Sequence, residues 1–136
     1  MKYYLSFVLV MVLLISCKNE KKAEINETAI EATIYDETTT YDISVEELRK
    51  NKEKYNNKIV SLKCEVTKYN PAILDVNWIH IKDGTSFNGK SDVTATSTTA
   101  VKMGDTISIE GKVTLNKNFG SGYVYDIIIE NATIIE

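Results

Sequence analysis

Residues 60–67, Val60-Ser61-Leu62-Lys63-Cys64-Glu65-Val66-Thr67, alternate apolar and polar side chains without a break. A period of two marks a strand buried on one face. Val60, Leu62, Cys64 and Val66 therefore belong to a core, and the residues between them to solvent. The same period returns downstream. Trp78-Ile79-His80-Ile81 forms a second strand that runs into a turn at Asp83-Gly84, and residues 93–97 form a third, rich in Thr and Ser. Residues 106–115 form a fourth, with Ile107, Ile109, Val113 and Leu115 in register, and residues 123–135 a long fifth. Alternation fails in the fifth at Ile127-Ile128-Ile129 and again near Asn131, which predicts burial on both faces or a bulge.

Ahead of these strands, Ser44-Val45-Glu46-Glu47 has the form of a capping box, with Ser44 accepting from the third helical residue and Glu47 reaching back. It opens one short helix on which Val45, Leu48 and Tyr55 share a face, and Asn56-Asn57 ends it. So narrow an apolar stripe suits a lid on the sheet. Residues 17–40 are polar apart from Ile25, Ile30, Ile34 and a few small side chains. Such a segment buries too little apolar surface to offset its ordering entropy and is expected to be a disordered, flexible tether, with an end-to-end distance of roughly 25 Å. The domain is expected over residues 41–136.

The first residues give an address. Lys2 precedes an almost unbroken apolar run from Leu5 to Ile15, followed by Ser16 and Cys17. A membrane-spanning helix needs about 20 apolar residues, and this run is shorter. The pattern resembles a bacterial lipoprotein signal peptide spanning residues 1–16. That resemblance implies acylation of Cys17 by palmitate-type chains, a stable lipid attachment to the membrane, and a domain in the cell envelope, facing the periplasm or the cell surface. ATP, NAD and cellular nucleic acid are then out of easy reach. With Cys17 lipidated, Cys64 has no partner within the chain and no disulfide framework is expected.

Five strands with a glycine, Gly111, inside the fourth suggest an all-β, five-stranded closed barrel preceded by one short helix. The pattern resembles an OB-fold. Trp78-Ile79-His80-Ile81-Lys82-Asp83-Gly84-Thr85 and Met103-Gly104-Asp105-Thr106-Ile107-Ser108-Ile109-Glu110-Gly111-Lys112-Val113 look like the second and fourth strands of tRNA-anticodon-type OB domains. Residues 58–135 are also similar to exported bacterial OB-fold proteins associated with cytochrome c nitrite reductase, with Asn70-Pro71 and Phe119-Gly120-Ser121-Gly122-Tyr123 as supporting positions. Cys64 stands where the later strand has its bending glycine, and it tolerates less curl there. OB barrels carry many unrelated ligands, so the resemblance implies a fold more sharply than a function.

In that topology the outer face of the second and third strands, flanked by two loops, is the ligand groove. Trp78, His80 and Lys82 share that face, Tyr69 and Asn70 enter one loop, and Phe119 and Tyr123 belong to the other. These seven residues are the candidate binding site; some of the rings near it, Tyr125 especially, are equally placed to close a barrel end. His80 is the only histidine and lacks companions at ligand spacing, so no metal is expected. Cys64, predicted inward, is expected to be inert. The absence of a Cys-x-x-Cys-His run excludes covalent haem attachment.

No nucleophile motif and no phosphate-loop lysine are present, which points away from an enzyme and from a cofactor. The net charge of −3, and acidic residues interleaved with Lys63, Lys68, Lys82 and Lys90, weaken the electrostatic term that nucleic acid requires. The expected role is that of a protein-binding adaptor or accessory in the cell envelope. An oligosaccharide or small ligand bound on the Trp78 face is the alternative, and nucleic acid a distant third.

Overall fold

The computed structural model describes residues 39–135 of the 136-residue chain. The expected signal peptide, Cys17 and the tether up to residue 38 lie outside the described residues. Thr40, the last residue expected in the tether, already belongs to the fold. The elements are β1 (Thr40–Asp42), α1 (Val45–Lys50), α2 (Lys52–Tyr55), β2 (Ile59–Ile73), β3 (Val76–Phe87), β4 (Lys90–Ser97), β5 (Thr106–Asn118) and β6 (Val124–Ile135). The architecture is mostly β. Five strands hydrogen-bond in the order β2-β3-β4-β6-β5, and β5 returns to pair with β2, so the sheet forms a ring.

The alternating stretch that opens β2 behaves as its pattern demands: Val60, Leu62, Cys64 and Val66 are buried in the core with Ile79, Ile81, Val93, Ala95, Ile109 and Val113. Complete burial of a branched aliphatic side chain contributes about 1.5–3 kcal/mol. The sixth strand, β1, was not expected. It pairs parallel to β2 from Thr40–Ile59 to Asp42–Ser61, along an edge that β3 does not cover, because β3 joins β2 only from Glu65 onward. Three residues with a single half-buried tyrosine leave too short a pattern to announce a strand.

Other boundaries also move. β2 does not stop near Thr67 but continues through two register shifts to Ile73, which carries Tyr69 and Asn70 inside the strand, opposite Ile79 and Trp78, and not into a loop. The expected turn at Asp83-Gly84 is an irregular stretch inside β3, and the chain reverses instead at Asn88-Gly89. Both residues there have positive φ, 50° and 73°, as a two-residue hairpin turn requires. Asp83 is otherwise engaged: its carboxylate accepts from the Val45 N–H at 2.8 Å and from the Thr85 N–H and hydroxyl at 2.9 and 2.6 Å.

That carboxylate helps hold the helix start. Ser44 Oγ accepts from the Glu47 N–H at 3.1 Å, and Thr85 Oγ1 accepts from the Glu46 N–H, so the free N–H groups of the first turn are satisfied partly from β3. Only half of the expected capping box forms, since Glu47 turns its carboxylate to Asn51 and to the Tyr55 hydroxyl. The single expected helix is broken at Asn51 into α1 and α2. Val45, Leu48 and Tyr55 are buried against the barrel as anticipated.

Both irregularities foreseen in the last strand occur. Ile127, Ile128 and Ile129 are all buried, and Asn131, with φ 54°, sits at a register shift opposite Gly111. Gly111 has an ordinary φ, so its role is not to bend the strand by an unusual conformation. A Cβ there would stand 2.6 Å from Ile129 Cγ2 and 3.0 Å from Ala132 Cα. It is close approach of β6 that requires glycine at this position. Cys64 pairs with Ile107, away from that contact, and does not prevent the ring from closing.

Candidate functional site

The β5–β6 hairpin is not a flat extension of the ring. Lys117 is the register partner of Tyr125, yet its Nζ lies 3.0 Å from Glu130 Oε1, five residues farther along β6. The distal hairpin therefore curls back on itself, with Asn116 at φ 52° inside β5. The curl sets Phe119 and Tyr125 against Trp78. Ring centroids are 4.9 Å apart for Trp78–Phe119, 5.4 Å for Trp78–Tyr125 and 5.9 Å for Phe119–Tyr125. Contacts of this kind contribute about 0.5–1.5 kcal/mol each beyond area burial. Tyr125 thus packs with Trp78 and Phe119.

Trp78 is only 7% exposed. Its Nε1–H donates to the Ile73 carbonyl at 2.9 Å, which ties the buried indole to the tip of the β2–β3 hairpin. The tip itself is made of unusual backbone: Ala72, Leu74 and Asp75 all have positive φ without being glycine, a conformation that costs roughly 1 kcal/mol or more per residue. The payload of this strained turn is apolar. Ile73 is 48% and Leu74 68% exposed, and on the β5–β6 hairpin Tyr123 and Val124 stand out at 65% and 59%.

Between the two hairpins lies a cleft of about 650 Å³, within the ordinary range of ligand sites. Of the seven candidates, Asn70, Trp78, His80, Phe119 and Tyr123 line it. Tyr69 and Lys82 do not. Tyr69 shares the register of Ile79 and packs against the barrel core, because the shift between Val66 and Lys68 resets which β2 side chains face inward. Lys82 is drawn to Glu65, 3.4 Å away, and borders a separate depression with Cys64 and Asp83. His80 Nδ1 is 3.4 Å from Asp92 Oδ2, the cross-strand arrangement of an imidazole on a sheet face.

The structure adds Lys68, Ile73, Leu74, Ser121 and Tyr125 to the lining. An aliphatic pair, Ile73-Leu74, between Pro71-Ala72 and Asp75 was the available signal, since large apolar residues at a turn have no core to enter. Among the described residues, no group of three or more His, Cys, Asp or Glu side chains is placed to hold a metal ion, and no helix is long and apolar enough to cross a membrane. Cys64 is 3% exposed, and burial pushes its thiol up to about 12. No protein-family model matches the chain, and no curated protein matches it.

Proposed function

We propose that this protein is an exported, lipid-anchored, non-enzymatic binding module, and that its ring is an OB-fold barrel that engages a protein partner in the cell envelope. The strand order β2-β3-β4-β6-β5 with β5 closed on β2 supports the fold. The apolar run from Leu5 to Ile15 ahead of Ser16-Cys17 supports the location. One observation carries the protein-binding reading: the tips of two hairpins present Ile73, Leu74 and Tyr123 to solvent around one cleft, over an aromatic base. Clustered exposed apolar side chains of this kind mark interaction surfaces. A sugar would instead favour an open indole to stack on, and Trp78 lies under two other rings.

The test is site-specific photocrosslinking in cells, with the reactive residue at Leu74 or Tyr123 and, as control, at exposed Lys63 on another face. The same envelope protein captured from both hairpin positions and not from Lys63 is the expected result. Equal capture from all three positions, or none from the hairpins, contradicts it. The anchor is tested separately: Cys17→Ser moves the protein out of the membrane fraction, and unchanged fractionation disproves lipidation.

A further inference from the structure

The cleft wall has a one-sided charge. Lys68 and His80 line it, and no Asp or Glu does. His80 already has Asp92 beside its Nδ1. Lys68 differs: it is exposed on β2, and among the described residues no carboxylate lies within ion-pair distance of it. The nearby Lys117 is occupied by Glu130, with its Nζ 5.4 Å from the Phe119 ring centroid. One uncommitted cation thus stands at the edge of an aromatic and aliphatic cleft.

The size of the cleft decides what form of partner it takes. At about 650 Å³ it accepts a short run of side chains and not a broad folded surface. Nucleic acid is a poor match, because phosphate-backbone binding draws on several cations in a stripe, and here the next strand position along this face is Lys82, neutralised by Glu65. Charge complementarity, which sets specificity and register in such contacts, asks for a negative group opposite Lys68.

We infer that the occupant of the cleft is an apolar, acidic peptide segment of the partner protein, with an Asp or Glu carboxylate set against Lys68 and its apolar side chains against Ile73, Leu74 and Tyr123. This rests on the protein-binding reading above and deepens it by naming the chemistry of the partner. Trp78 forms the base of the cleft and reports on its occupancy, being the only tryptophan of the chain.

The experiment uses the full-length chain solubilised in detergent and four labelled probes. Three are blocked decapeptides in which leucine alternates with glutamate, glutamine or lysine, and the fourth is a 15-residue oligothymidylate. Probe anisotropy and Trp78 emission are followed together. The expected order is glutamate peptide tightest, by about tenfold over the glutamine peptide, and lysine peptide weakest. Lys68→Gln removes the glutamate advantage, and Lys68→Glu transfers it to the lysine peptide. Because Lys68 is an exposed residue, both variants retain the fold, checked by an unchanged thermal transition. Equal binding of the glutamate and glutamine peptides, a preference indifferent to Lys68, tighter binding of the oligonucleotide, or no peptide binding overturns the inference. If it falls while the Leu74 and Tyr123 crosslinks persist, the protein partner stands and only its acidic character is lost. If the crosslinks fail as well, both readings fail.

Discussion

Gly111 and Cys64 show how one residue's role depends on what faces it. The two occupy similar places in similar sequence patterns, yet β6 presses only on Gly111, where even a methyl group would enter the space of Ile129 and the Ala132 backbone. Gly111→Ala gains a little from a less flexible unfolded chain and loses more to overpacking, typically about 1–3 kcal/mol. A lower urea midpoint at unchanged slope is expected; a midpoint equal to the parent's would mean that β6 yields at no cost. Cys64 illustrates the opposite case of a side chain fully accepted by the core. Its thiol is raised by burial, chiefly, and then by the Asp83 charge, to about 12 in place of 9.0. A raised pKa favours the neutral thiol in the folded state, so this contribution to stability is complete below pH 9 and is lost as pH rises toward 12. Alkylation of the folded chain by iodoacetamide at pH 8 should therefore be negligible, and should become rapid in denaturant. Fast labelling of the native protein would show that Cys64 is not held as described.

At the scale of elements, the helical lid and the barrel meet through Asp83. Burial works to raise its carboxyl pKa, but the Thr85 hydroxyl and the backbone N–H groups of Val45 and Thr85 outweigh that and hold it below the ordinary 3.8. A lowered carboxylate pKa contributes stability that is present above the unfolded value and lost as pH falls through the folded one. Protonation below pH 3.8 should then loosen α1 from β3. Asp83→Ala should imitate this at neutral pH, at a cost of about 1–3 kcal/mol for the stranded N–H of Val45, with faster amide exchange at residues 45–48. Exchange there as slow as in the parent would remove Asp83 from this role. Seen from the sequence, Asp83-Gly84 has the composition of a hairpin turn, and the true turn two residues after Ser86 was equally available. What displaced the turn was a tertiary need, the helix start that requires acceptors from β3.

At the scale of the whole molecule, the ring has a strong seam and a weak one. β2 and β5 pair continuously from Ile59–Lys112 to Glu65–Thr106, whereas β4 and β6 share backbone register only at Thr94–Ile128 and Ala95–Ile129. Side chains extend the weaker seam: Thr96 Oγ1 accepts from the Asn131 N–H at 3.1 Å, and the Ser97 hydroxyl donates to the Ala132 carbonyl at 2.6 Å. Both hydroxyls are buried, and each bonds to backbone at the register shift around Asn131. Barrel opening should begin along this seam. In the Thr96→Val, Ser97→Ala double variant, amide exchange in β4 and the middle of β6 should accelerate before that of β2 and β5, with a stability loss of about 1–3 kcal/mol per buried group left unpaired. Uniform acceleration across all strands would argue for a single cooperative unit with no weak side. The Thr- and Ser-rich third strand read from sequence as merely weak, because hydroxyls that cross-link two strands cannot be told from hydroxyls that face water until the partner backbone is in place.

The sequence by itself determined the inward face of the regular strand stretches, since a period of two assigns Val60, Leu62, Cys64 and Val66 to one face. It also determined the aromatic meeting point, because Trp78, Phe119 and Tyr123 lie on strand and hairpin positions that a five-strand ring brings together. Tertiary structure alone decided the rest. Register shifts in β2 turned Tyr69 into the core and left Asn70 in the cleft, and a bulge of one residue reverses every facing beyond it without any mark in composition. The β5–β6 hairpin packs Phe119 and Tyr125 onto Trp78, while Leu74 and Tyr123 at the two hairpin tips stay exposed. Local pattern records which residues avoid water; only the packing of distant segments settles which of them are left facing it.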